Sequence, residues 1–188
     1  PAGGSERVVS GTILVVSTVA ASGEFDHAAV TPDGEYYTPN STVELTASAM
    51  DFSGAPAKAL PADAVFTVSE TTVNGSGASA VFTSSGKTGD VTIDLISGGK
   101  TVGSTILHVQ EPDALSFASS EVNLNYNDVS DLGFRATYQS EQVHLKDGDI
   151  NWAISDPDAG SFANNRFTVT SNVKYSGSPT VTATRGDL

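Results

Sequence analysis

The sequence predicts an all-β chain of two tandem β-sandwiches, on three observations. Short runs that alternate apolar and polar residues recur along it, whereas apolar residues at helical 3.6 spacing do not. Turn clusters separate the runs: Ser53-Gly54, Asn74-Gly75, Ser97-Gly98-Gly99, Asp147-Gly148, Asp156-Pro157 and Arg185-Gly186-Asp187. The order of these runs is repeated, once in each half of the chain.

The strands expected in the first half are Thr12 to Val16, Thr42 to Ala49, Ala64 to Ser69, Ala80 to Thr83, Val91 to Leu95 and Thr105 to Gln110. Those of the second half are Ala114 to Phe117, Val122 to Tyr126, Leu132 to Tyr138, Ile150 to Ser155, Arg166 to Thr170 and Thr180 to Thr184. The halves align at Phe66 with Trp152, Val68 with Ile154, and Glu70 with Asp156. Val81-Phe82-Thr83 then aligns with Arg166-Phe167-Thr168, and Val91-Thr92-Ile93 with Val181-Thr182-Ala183. Upstream, Val43 to Ala49 aligns with Leu132 to Tyr138.

The repeat sets a boundary at Gln110-Glu111-Pro112-Asp113, because Pro112 cannot continue a sheet ladder. The expected domains are 1–110 and 111–188, with an inserted segment at about 20–40 in the first. The second is expected to lack its last strand. Nothing in it answers Thr101 to Val109, so that strand is missing, unordered, or supplied by residues beyond a fragment. The cores should centre on Val43, Leu45, Phe66, Val68, Phe82, Val91 and Ile93, and on Leu132, Phe134, Ile150, Trp152, Ile154, Phe167 and Val181.

Composition narrows the function. Nine Lys plus Arg against 22 Asp plus Glu give a formal net charge of -13, a balance that repels nucleic-acid phosphate. No apolar run approaches the roughly 20 residues of a membrane-spanning helix. With no cysteine, disulfides, zinc-thiolate sites and cysteine nucleophiles are excluded. Ser plus Thr make up about a quarter of the chain, which suits solvated strand faces. The start at Pro1, without a leader, fits a piece excised from a longer protein.

The repeat unit resembles bacterial immunoglobulin-like domains. The residues that carry the likeness are the alternating strand Leu132, Phe134, Ala136, Tyr138 and the strand Asp149-Ile150-Asn-Trp152-Ala-Ile154-Ser155-Asp156. After them come Gly160, Phe167-Thr168, and Gly177 ahead of Val181-Thr182-Ala183. The second half matches over nearly its whole length, and the first from about Val43, with Phe66 in place of the Trp. Such domains stand in tandem in secreted or surface-attached adhesins, surface-layer proteins and polysaccharide-acting enzymes. The resemblance therefore implies an extracellular or cell-surface module that acts as a spacer, adheres, or contacts polysaccharide or cell-wall glycan.

Four candidate sites follow from residue chemistry. For catalysis, His27, His108 and His144 are the only histidines, and neither Gly-x-Ser-x-Gly nor His-Glu-x-x-His occurs, so no enzyme activity is expected. For calcium, Asp147, Asp149, Asp156 and Asp158 are hard oxygen ligands on turns, joined by Glu111 and Asp113 at the linker. Asp-Gly and Asp-Pro are equally ordinary turn pairs, so local backbone capping is the competing reading. The two Asp pairs leave opposite ends of one strand, some 20 Å apart, and cannot share one ion. For glycan, Tyr36 and Tyr37 with Asp33 and Glu35 combine aromatic faces with polar groups, as a pyranose requires. If Tyr36 and Tyr37 lie on a strand they point to opposite faces, and one is core. Last, Arg185-Gly186-Asp187 is the tripeptide that animal integrins read, and also an ordinary turn composition.

The expected function is a non-catalytic spacer or adhesion module of a larger secreted or cell-surface protein. The alternatives are a dedicated carbohydrate-binding module and a self-associating surface-layer or adhesin subunit. The second would exploit an incomplete sandwich, whose open edge another chain could fill by strand addition.

Overall fold

The computed structural model describes residues 23–188 apart from 70 and 175. The expected strand Thr12 to Val16 and the opening of the segment 20–40 lie outside the described residues. The described chain is almost wholly β, with one 3-10 turn at Pro157–Ala159. Among the described residues no helix is long and apolar enough to cross a membrane.

In the first half the strands are β1 (His27–Thr31), β2 (Tyr36–Tyr37), β3 (Thr42–Met50), β4 (Val65–Val68), β5 (Thr71–Thr72), β6 (Asn74–Ser76), β7 (Ser79–Thr83), β8 (Gly89–Ser97) and β9 (Lys100–Val109). One sheet runs β1-β3-β7-β6, and the facing strands run β2-β9-β8-β4-β5. Strict alternation in β3, with Val43, Leu45 and Ala47 buried and the residues between them exposed, presents one apolar face to the opposite sheet. Leu45, Phe66, Ile93, Leu95 and Leu107 meet in the centre and are at most 1% exposed. Burying each such side chain contributes roughly 1.5–3 kcal/mol. Between β8 and β9 the chain reverses at Gly98 (φ 56°) and Gly99 (φ 73°), a left-handed pair that matches the twist of a two-residue hairpin.

In the second half the strands are β10 (Ala114–Phe117), β11 (Val129–Ser130), β12 (Phe134–Tyr138), β13 (Glu141–His144), β14 (Asn151–Ile154), β15 (Gly160–Ala163), β16 (Arg166–Val169) and β17 (Val181–Thr184). Their pairing repeats that of the first half. β10 pairs with β12 as β1 does with β3, β16 lies between β11 and β15 as β7 lies between β3 and β6, and β14 pairs with β17 as β4 does with β8. The segment read as an insertion thus supplies β1 and β2, and β1 has a counterpart in β10.

The register corrects the alignment by two residues. Val68 faces Ile93 and Ile154 faces Val181, so Ile93, not Val91, answers Val181. Likewise Phe82 faces Val43 while Phe167 faces Ser130. A two-residue slip leaves every side chain on its own face, so alternation alone cannot detect it. The strand that runs unbroken as β3 is interrupted in the second half by Leu132 (φ 57°) and Gly133 (φ 64°), which splits it into β11 and β12.

The second core is smaller. Leu132, Ala159 and Phe167 are buried there, whereas Phe134, Trp152, Ile154 and Val181 are only half-buried. Trp152 still acts as an anchor: Phe162 stacks on it at 4.4 Å, Phe134 meets it edge-on at 4.8 Å, and its indole N–H donates to Asn165 Oδ1 at 3.1 Å. Among the described residues β17 pairs with β14 alone.

The two halves share a sheet. β2 lies between β9 and β13, parallel to both, so one eight-stranded sheet runs β10-β12-β13-β2-β9-β8-β4-β5 through the molecule.

Candidate functional site

The residues singled out for glycan binding converge on this shared strand. Tyr36 is paired with His108 on one side and Val143 on the other, and Tyr37 with Val109 and His144. Backbone bonds hold the seam: His108 N–H donates to Glu35 O (2.9 Å), Gln110 N–H to Tyr37 O (2.9 Å), and Thr38 N–H to His144 O (3.0 Å).

Strand alternation sends the two tyrosines to opposite faces. The Tyr36 ring stacks on His108 with centroids 4.5 Å apart, and Tyr138 approaches it at 6.3 Å. The Tyr37 ring packs on the first core and stacks on His144 at 4.9 Å. Its hydroxyl donates to Glu35 Oε2 at 2.9 Å, and the same oxygen lies 3.1 Å from His144 Nε2. Burial first, and then the hydrogen bond to and the charge of Glu35, push the Tyr37 phenol well above its ordinary range, so it stays a donor. Asp33 turns the chain into β2: its Oδ1 accepts from Ile106 N–H at 3.2 Å and lies 3.0 Å from the Thr105 hydroxyl. The side chains proposed as a glycan platform are therefore engaged with one another and with their neighbours.

The calcium candidates divide. Asp149, whose side chain is 7% exposed, accepts from the Thr38 hydroxyl at 2.6 Å and from Lys146 N–H at 3.3 Å. Lys146 Nζ (3.8 Å) and Arg185 Nη2 (3.6 Å) neutralise it. Arg185 also pairs with Glu111 of the linker, so the Arg-Gly-Asp arginine bridges strand end, linker and Asp149. Asp147 is exposed on the same turn. At the far end of β14, Asp156 caps the 3-10 turn by accepting from Asp158 N–H at 3.0 Å, while Asp158 is exposed. Among the described residues no group of three or more His, Asp or Glu is gathered as a metal site.

Thr38 escaped the sequence reading. It is fully buried, and besides Asp149 its hydroxyl meets Ser41 Oγ at 3.0 Å. Its partner lies 111 residues away, and no local pattern announces such a bond. Each histidine faces a carboxylate: His27 with Asp26 (2.9 Å), His108 with Asp90 (2.7 Å) and His144 with Glu35. Among the described residues no Ser or Thr hydroxyl is hydrogen-bonded to these rings, as a nucleophile–base pair requires.

No family model matches the chain, and no curated protein matches it. A solved structure it is similar to is that of surface layer protein SbsC, domains 4–9, at 16% identity and a TM-score of 0.33. That likeness covers 85% of this chain and 29% of the other, so the chain spans less than a third of that structure's length.

Proposed function

We propose that the chain is a non-catalytic immunoglobulin-like spacer or adhesion module of a larger secreted or cell-surface bacterial protein. The observation that carries this reading is the continuous sheet through β2. A short covalent linker alone leaves two domains free to swing. Here β2 is hydrogen-bonded to both sandwiches, and the buried Thr38–Asp149 pair and the Arg185–Glu111 pair lie beside it. Bending the pair requires breaking backbone bonds and exposing Tyr37, so the module keeps its length. An acidic, cysteine-free surface rich in Ser and Thr fits an extracellular position.

The test is the motion of one half relative to the other. Residual dipolar couplings should fit a single alignment tensor for both sandwiches, and separate tensors would overturn the reading. Glycan contact through Tyr36 and Tyr37 would require each ring to offer a sugar its face away from His108 or His144. Retention on polysaccharide affinity gels that vanishes in Tyr36→Ala/Tyr37→Ala while the fold persists would establish that contact.

A further inference from the structure

Two tyrosines from different halves meet across the seam. Tyr36 lies on β2 and Tyr138 on β12, with β13 between them. Tyr138 is paired with Glu141 and Tyr36 with Val143. Glu141 and Val143 stand two residues apart on one strand, so both tyrosines fall on the same face of the shared sheet. Their ring centroids are 6.3 Å apart and their planes are inclined by 35°. Both residues are half-buried, so each ring keeps contact with solvent. Neighbours hold the two rings in place. His108 stacks on Tyr36 at 4.5 Å and is itself held by Asp90 at 2.7 Å, and Gln139 Nε2 donates to the Tyr138 hydroxyl at 3.2 Å. Tyr37 differs: it lies on the opposite face, packs on the first core and donates its phenol proton to Glu35.

We propose that Tyr36 and Tyr138 are a cross-linking site, at which oxidation by peroxide through a peroxidase joins the two sandwiches as a dityrosine. Each phenol gives up one electron and one proton, and the two electrons and two protons reduce one hydrogen peroxide to two waters. The resulting phenoxyl radicals carry spin on the carbons ortho to oxygen. Those carbons couple to form one C–C bond, and their hydrogens then move to the phenol oxygens, which restores both rings. The product has lost two hydrogens and nothing else. The fold favours this pair because it holds the partners side by side before either is oxidised. The bond would close a loop that spans the linker, which restricts the unfolded chain and fastens the seam covalently. A chain with no cysteine cannot reach the same end with a disulfide. The proposal rests on the shared sheet and does not depend on the spacer role.

The test treats the full chain with hydrogen peroxide and a haem peroxidase. Most of the product should remain monomeric on a denaturing gel, lighter by two hydrogens, with dityrosine fluorescence. After digestion, mass spectrometry should find the peptides of Tyr36 and Tyr138 joined. Tyr36→Phe and Tyr138→Phe keep the rings and their packing, and each should remove that joined peptide, while Tyr126→Phe should retain it. Circular dichroism before treatment should be the same for all three variants. The treated parent chain should melt at a higher temperature than treated Tyr36→Phe, which shares every other oxidation. Cross-linking only between copies, a joined peptide from another pair in place of this one, or equal melting of the treated parent and Tyr36→Phe would overturn the proposal.

Discussion

Replacing Thr38 by Val tests the seam at its most buried point. Valine keeps the shape of threonine, so no cavity forms, but the hydroxyl that donates to Asp149 at 2.6 Å is lost. Thr38 is fully buried and the Asp149 side chain is 7% exposed, so water cannot replace the donor. Hydrogen bonds to charged groups contribute about 1.5–3 kcal/mol. Asp149 keeps Lys146 N–H and Arg185, which places the loss within that range rather than above it. Since 1.4 kcal/mol is a factor of ten, stability should fall by about ten- to 150-fold in equilibrium constant. The assay is urea unfolding followed in parallel by far-ultraviolet circular dichroism, which reports both halves, and by fluorescence of Trp152, which reports the second. Thr38→Val, Asp149→Ala and the double variant form a cycle whose coupling should be about 1.5 kcal/mol or more. A coupling within about 0.5 kcal/mol of zero would refute the claim that this bond joins the halves.

Three further outcomes are expected. Leu107→Ala should cost about 2–5 kcal/mol in urea unfolding, whereas Ile106→Ala next to it should cost far less, because Leu107 is 1% and Ile106 43% exposed. Gly160→Ala should lower the melting temperature followed at Trp152, since a Cβ there would sit 2.1 Å from Thr168 O and 2.8 Å from the Phe167 ring, at φ 154°. Asp51 is held at about 2, below its ordinary 3.8, chiefly by the Ser53 hydroxyl and then by the Gly23, Ala55 and Ser53 backbone N–H groups. Its contribution is complete above about pH 4 and is lost as pH falls towards 2, so Asp51→Asn should melt lower at pH 7 and lose less between pH 4 and 2 than the parent chain.

Much of the fold was legible because strand alternation is a local signal. The runs at Val43, Phe66, Phe82 and Ile93 read directly as inward faces, and these residues are buried. The split strand was not legible as such, since Leu132 and Gly133 adopt left-handed backbone inside an otherwise alternating run. The candidate site was legible as residue types and not as an arrangement. Tyr36, Tyr37, Glu35 and Asp149 were all chosen from sequence, for sugar and calcium. Their observed partners, His144, Thr38 and Arg185, come from distant parts of the chain that are brought together only on folding.

By itself the sequence determined the class: an acidic, cysteine-free, all-β chain with a repeated strand order and apolar faces of period two. Tertiary structure alone decided that the halves share one sheet. A two-residue strand such as β2 has too little pattern to declare which edges it will join, and its choice depends on the unpaired edges that β9 and β13 present once both sandwiches have formed. Backbone groups at those edges are satisfied by whichever segment arrives in register, and arrival is a property of the assembled fold rather than of local sequence.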